Sequence, residues 1–252
     1  MNIGLGLLLS VLAGAATMVG SLIGMVVKKP GPRFLVLSLG FSAGVMIYVS
    51  FVELLQSGIS SIGFLPAQLF FFLGMAVTFL FDAMIPHDYM AEHNLTDKGH
   101  RKRNLARTGL FVALGIGIHN FPEGLAVFAA TLHDVKVGIA IAVAIALHNI
   151  PEGIAVSVPV FTATGSRSKA FWWSFFSGMA EPAGALVAAV FLLPFLNAAV
   201  VGMLLSVVAG IMVFISIDEL VPVSRSYGEE HLSILGFIVG MVIMAASLWM
   251  VR

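Results

Sequence analysis

Two hexapeptides hold the side chains best suited to chemistry: His119-Asn120-Phe121-Pro122-Glu123-Gly124 and His148-Asn149-Ile150-Pro151-Glu152-Gly153. In each, histidine and glutamate are four residues apart, which on a helix puts both side chains on one face, one turn apart. An imidazole nitrogen and a carboxylate oxygen placed so can grip one divalent ion. Two such pairs supply four N and O ligands, a set that suits Zn2+ and also Fe2+, Mn2+, Co2+ or Cd2+. The chain has no cysteine, so thiolate ligands and disulfides are excluded. A further carboxylate, Glu181, precedes Pro182. Glu123, Glu152 and Glu181 would together balance most of the charge of two divalent ions, and Asn120 and Asn149 could offer neutral oxygens to the second, with Glu123 and Glu152 bridging.

The elements that must position these residues are membrane helices. Of the 252 residues, 59% are hydrophobic and 10% charged, with a mean hydropathy of +1.03, a balance that belongs in a bilayer. Continuous apolar runs rich in Gly, Ala, Leu and Val argue for helices and against a barrel, which would alternate with period two. Turn signals predict eight spans in an all-α polytopic bundle, near 3–27, 34–57, 63–85, 105–130, 137–160, 170–193, 198–221 and 231–251, with a cytoplasmic loop over 87–104. The whole chain, 1–252, reads as one transmembrane domain. The first run lacks a basic leader and is expected to remain in the mature chain. A formal net charge of zero suggests no nucleic-acid partner.

Orientation follows from basic residues. Lys28, Lys29, Arg33, Lys98, Arg101, Lys102, Arg103, Arg107, Arg167, Lys169 and Arg225 fall in alternate loops, leaving Lys136 and Arg252 on the other side. The positive-inside rule then places both termini outside the cytoplasm of a cell whose inner (plasma) membrane the chain crosses. Both hexapeptides fall well inside their apolar runs. An unpartnered ionised carboxylate costs several kcal/mol at that depth, so something must hold these groups there. Pro122 and Pro151 cannot donate to the carbonyls of Ile118 and Leu147, so both helices are expected to kink at the site. Gly124 and Gly153 would let neighbouring backbones approach closely.

A second repeat spans the chain. Residues 43–55, AGVMIYVSFVELL, resemble 209–221, AGIMVFISIDELV, at a constant offset of 166 that aligns Glu53 with Glu219. The two segments lie in spans that cross in opposite directions, so they read as an inverted 3+2+3 repeat. Glu53 would sit near the outer mouth, and Asp218 with Glu219 near the inner one. Asp82 reads as an anchor or an exit-path carboxylate, Met46 and Met212 as packing, and His133 and His231 as helix-end residues with no second ligand in sequence. His87, His93 and His100 occupy the long polar loop.

The doubled His-Asn-x-Pro-Glu-Gly motif, the Glu181 segment and the eight-span plan resemble the ZIP (Zrt/Irt-like) metal transporters over essentially the whole chain. The resemblance implies a binuclear site: His119, Glu123, His148 and Glu152 for one ion; Asn120, Asn149, Glu181 and the shared Glu123 and Glu152 for the other. It also implies import of metal into the cytosol, with the variable loop between spans three and four inside. Some relatives carry a histidine in span seven just before the glutamate, where this chain has Asp218. The expected activity is alternating access, with metal passing Glu53 inward and leaving past Asp218 and Glu219. Because metal binding needs neutral histidine and ionised glutamate, transport is expected to weaken in acid. Divalent metal is substrate here, with no prosthetic group; the other partners are the lipid bilayer and, as one assembly open to it, a second copy in a homodimer. The rival readings are a metal-selective channel and a membrane-embedded di-metal enzyme. Neither the Glu-x-x-His spacing of di-iron bundles nor the His-Glu-x-x-His of zinc proteases occurs.

Overall fold

The computed structural model describes residues 2–26, 31–83 and 117–251. Among them the chain is all-α, with no strand: α1 (Ile3–Val26), α2 (Pro32–Val49), α3 (Leu55–Ile62), α4 (Phe64–Ala83), α5 over residues 117–133, α6 (Val135–Thr164), α7 (Arg167–Gly178), α8 (Ala180–Val187), α9 (Ala198–Ile215), α10 (Val221–Arg225) and α11 (Glu230–Val251). Seven helical runs are long and apolar enough to cross a membrane, matching seven of the eight expected spans. The remaining one, expected near 105–130, appears as α5. Its first residues, the loop over 87–104 with His87, His93 and His100, and Lys28 and Lys29 lie outside the described residues.

Several runs extend past their expected ends. The second continues to Ile62, the fifth starts at Val135 and the seventh reaches Arg225. Composition locates the hydrocarbon thickness but not the polar helical turns that project beyond it. The exterior is apolar, with Phe64, Leu69, Phe72 and Leu80 of α4 and Trp249 of α11 exposed, as a lipid-facing surface requires. Burial separates centre from periphery: 67% of the best window in the α6 run is buried against 17% in that of α4. Three of the residues predicted to do chemistry, His148, Asn149 and Glu152, ride on the most enclosed of these seven runs.

Two groups of helices pack side by side. One joins α1 with α5, α6, α7 and α8; the other joins α2 and α11 to each other, and α3 and α4 to α9. The buried face of α1 is built mostly of small residues, including Gly6, Ser10, Ala13, Gly14, Thr17, Gly20, Ser21 and Gly24. Small residues at this spacing let helix backbones come close, the favourable packing mode where lipid supplies no hydrophobic drive. Across the divide, α2 meets α6, and Ser42 Oγ donates to the His148 carbonyl at 3.3 Å.

The two copies of the long repeat share a backbone irregularity. Helix α2 passes into α3 through a π-helical turn at Ser50–Leu54, and α9 passes into α10 through one at Ser216–Leu220. In each the closing bond skips one residue more than an α-helix does: Leu55 N–H donates to Ser50 O, and Val221 N–H to Ser216 O. Just before each turn a serine hydroxyl donates back to a methionine carbonyl at 2.7 Å, Ser50 to Met46 and Ser216 to Met212. Such back-bonding competes for the carbonyl and loosens the regular ladder. Met46 and Met212 themselves are fully buried packing residues, as expected.

Helices α5 and α6 are joined by a single non-helical residue, Asp134, where a loop around Thr131 to Lys136 was expected. Asp134 is the N-cap of α6: its Oδ1 accepts from Lys136 N at 2.8 Å and Val137 N at 3.3 Å. Losing this cap with Asp134→Ala should lower stability by about 1 kcal/mol, whereas Asp134→Asn should keep most of it. Thermal unfolding in detergent checks this; an alanine variant as stable as the parent would deny the cap its role.

Candidate metal site

Helices α5, α6 and α8 bring the seven motif residues together. His119, Asn120 and Glu123 come from α5, His148, Asn149 and Glu152 from α6, and Glu181 from the first turn of α8. All seven are buried, six of them completely. Neither Pro122 nor Pro151 interrupts its helix. The break falls instead in the sixth span, where Met179 separates α7 from α8 just ahead of Glu181 and Pro182. That break turns Glu181 inward beside the α5 and α6 motifs.

The glycines after the motif glutamates have the expected role. A Cβ on Gly124 would run into the backbone oxygen of Glu181, and one on Gly153 into that of Thr17. Gly124 thus sets α5 against α8, and Gly153 sets α6 against α1. The site residues and the closest helix contacts are one sequence feature apart.

Histidine and glutamate pair across motifs rather than within them. His148 Nε2 meets Glu123 Oε2 at 3.3 Å, and His119 Nε2 lies 3.5 Å from Glu152 Oε1. Two ligands on one tetrahedral Zn2+, with legs of ~2.0–2.1 Å, stand about 3.3–3.4 Å apart. The crossed pairs therefore already have close to the spacing of neighbouring ligands on one ion. As they stand, no three of the described His, Asp and Glu side chains form a group close enough to hold an ion together.

Of the two asparagines, Asn149 faces the remaining carboxylate and Asn120 a backbone carbonyl. Asn149 Nδ2 donates to the Ala13 carbonyl at 2.9 Å and to Glu181 Oε1, and Asn120 Nδ2 donates to the Ser177 carbonyl at 3.3 Å. With both amide nitrogens engaged, Asn120 Oδ1 and Asn149 Oδ1 are left buried without partners. His119 Nε2, Glu123 Oε1, His148 Nδ1, both carboxylate oxygens of Glu152 and Glu181 Oε2 likewise make no hydrogen bond, His119 Nε2 and Glu152 Oε1 having only their 3.5 Å approach to each other. Every one of the seven motif residues carries such an atom. Among the described residues only Thr17, Ser21 and Ser177 otherwise do. A buried polar atom without a partner costs about 1–3 kcal/mol. Concentrating this many in one place is the mark of a site whose partner is a ligand.

The pathway residues are placed as follows. Glu53 lies in the first π turn, buried, on a cavity beside the α5–α6 turn. Asp218 and Glu219 lie in the second. Glu219 is within Coulombic reach of His119 and Glu152, and of Asp82 and Asp218, so Asp82 joins the same acidic neighbourhood. Sequence reasoning missed one association: His133 and Asp134 line the same cavity as Glu53. Eighty residues separate them in the chain, and only the helix packing brings them together.

The family model described as ZIP zinc transporter matches residues 85–248. Relatives each described as zinc transporter ZupT match nearly end to end. That of Clostridium perfringens is 46% identical over 98% of this chain and 96% of its own length. That of Oceanobacillus iheyensis is 50% identical over 98% of each, and that of Chlorobium phaeovibrioides 52% identical over 96% of each. These helices form a multi-pass membrane protein of a transporting, not a catalysing, family. From the doubled motif, the bundle that buries it and these full-length matches, the chain belongs to the ZIP zinc transporter family.

Proposed function

We propose that this protein, a single transmembrane domain over 1–252, imports Zn2+ into the cytosol by alternating access through a binuclear mid-membrane site. The observation that carries the reading is the set of eight partnerless buried atoms drawn from all seven motif residues. His119, Glu123, His148 and Glu152 hold one ion; Asn120, Asn149 and Glu181 hold the other, with Glu123 and Glu152 shared. The ligand set is nitrogen and oxygen without thiolate, so Fe2+, Mn2+, Co2+ and Cd2+ are expected as weaker or competing substrates. Names of the relatives support zinc as the first ion to test. The basic-residue split supports the plasma membrane with both termini outside. The helix group bearing the site then rocks against the group of α2, α3, α4, α9 and α11, and metal passes Glu53 on the way in and Asp218 and Glu219 on the way out.

Uptake of labelled Zn2+ into liposomes holding the purified protein tests the whole reading. Saturable uptake, competed by the other metals, is the expected result. Flux that never saturates would favour a channel, and metal that binds without crossing would overturn transport.

The binuclear arrangement has its own signature. The parent should bind two Zn2+ per chain by equilibrium dialysis, and Glu181→Ala about one, because the crossed His–Glu pairs survive that substitution. Two ions retained in the variant would remove Glu181 from the site.

A further inference from the structure

The motif residues are buried, but a cavity of 290 Å3, walled by polar and apolar side chains together, opens beside the α5–α6 turn. Glu53, Gln56 and three serines of α3 line one wall, and His133 with Asp134 lines another. Glu53, Gln56, Ser57 and Ser60 recur at helical spacing, with Glu53 buried, Ser57 half-buried and Gln56 and Ser60 exposed, so the polar stripe of this segment runs from the packed interior to the open side of the cavity. In a membrane helix such a stripe is tolerated where it faces water or a bound polar group. Two carboxylates and one imidazole look onto the space, and no Lys or Arg is among its described lining residues.

We propose that this cavity is an outer capture site for a hydrated divalent cation, held by Glu53, His133 and Asp134. The inference rests on the transport reading for its purpose, though not for its chemistry. Six waters at ~30 Å3 each occupy about 180 Å3, so the cavity has room for a cation that keeps its first hydration shell. Asp134 can serve without giving up its cap, because the cap uses Oδ1 alone. Ala130, on the cavity wall, is seven residues along α5 from Glu123, about 10 Å at 1.5 Å per residue. A captured ion would wait one short step outward of the buried ligands. Like-signed charge focused in a cleft raises the local concentration of its counter-ion and speeds association.

The test uses the full chain with His133→Gln and Asp134→Asn combined, the second chosen to preserve the helix cap. In proteoliposomes the apparent KM for Zn2+ should rise about tenfold while kcat stays within about twofold of the parent, the pattern for lost capture with intact translocation. An unmoved KM, or a fall in kcat alone, would overturn the proposal. A second arm does not depend on transport: equilibrium dialysis of radiolabelled Co2+ at millimolar concentration should find one weakly held ion per chain more in the Glu123→Ala chain than in the same chain with the two cavity substitutions added. Binding unchanged by those substitutions would equally overturn it. If the parent itself moves no metal, the transport reading falls, and this binding arm alone decides the capture site.

Discussion

Glu123→Ala and Glu152→Ala should each reduce saturable Zn2+ uptake in proteoliposomes to the level of empty vesicles. Each carboxylate does two things at once. It faces the histidine of the other motif, Glu123 with His148 and Glu152 with His119, and it carries at least one oxygen with no hydrogen-bond partner. Removing it takes a negative charge and a ligand from a dry site, and strands an imidazole. Breaking a buried pair by deleting one partner costs about 3–5 kcal/mol, and a comparable loss in ion affinity is a factor of several hundred or more. The conservative Glu123→Gln and Glu152→Gln keep volume and remove only the charge. They should be as inactive as the alanine variants while remaining monodisperse on size exclusion, which separates lost binding from lost folding. Uptake within a fewfold of the parent in the well-folded glutamine variants would show that the ion does not pass between these motifs.

The second large effect lies in a residue with no functional group. Gly153→Leu should unfold or inactivate the protein, because its Cβ would have to occupy the space of the Thr17 backbone oxygen, and a backbone cannot turn aside as a side-chain tip can. Overpacking typically costs 1–3 kcal/mol and more where backbone must shift. Here the displaced helix is α1, whose Ala13 carbonyl holds Asn149. Loss of transport should therefore accompany loss of thermal stability. Gly4→Ala is the matched control, since a Cβ there meets nothing within 4 Å. It should behave as the parent. Equal behaviour of the two variants would mean that α1 and α6 are not held at the distance the structure gives.

Legibility in the sequence differed between parts of the molecule for physical reasons. The hexapeptides could be found because four-residue spacing fixes a helix face, and because a charge in an apolar run needs a reason to be there. The crossing of the pairs could not, since spacing within one helix says nothing about which partner the facing helix presents. Pro151 lies within α6, which runs on as one helix to Thr164, and a helix boundary falls at Met179, one span later. Proline marks a missing donor, and neighbouring groups decide how far the helix yields. His133 stands alone in sequence because its companions on the cavity come from α3 and the π turn before it, a contact made only once distant helices have packed. The 166-residue offset did carry the π turns in latent form, as Ser50 with Met46 and Ser216 with Met212, but a hydrogen bond from a side chain to its own helix leaves no trace in hydropathy.

Those π turns also bear on what lengths of chain the fold can accept. Each holds one residue more than an unbroken α-helix would need, and one residue is about 100° of helical rotation. Deleting a single residue from Ser50–Leu54 would let the turn close as regular α-helix and leave Gln56, Ser57 and Ser60 facing the cavity they line. The corresponding deletion in Ser216–Leu220 would likewise leave α10 aimed as it is, with Ser224 still beside the Val36 carbonyl it bonds at 2.9 Å. The same deletion in an unbroken stretch of either helix would rotate every later side chain by about 100°, so the π turns are where these helices can lose a residue and keep their aim.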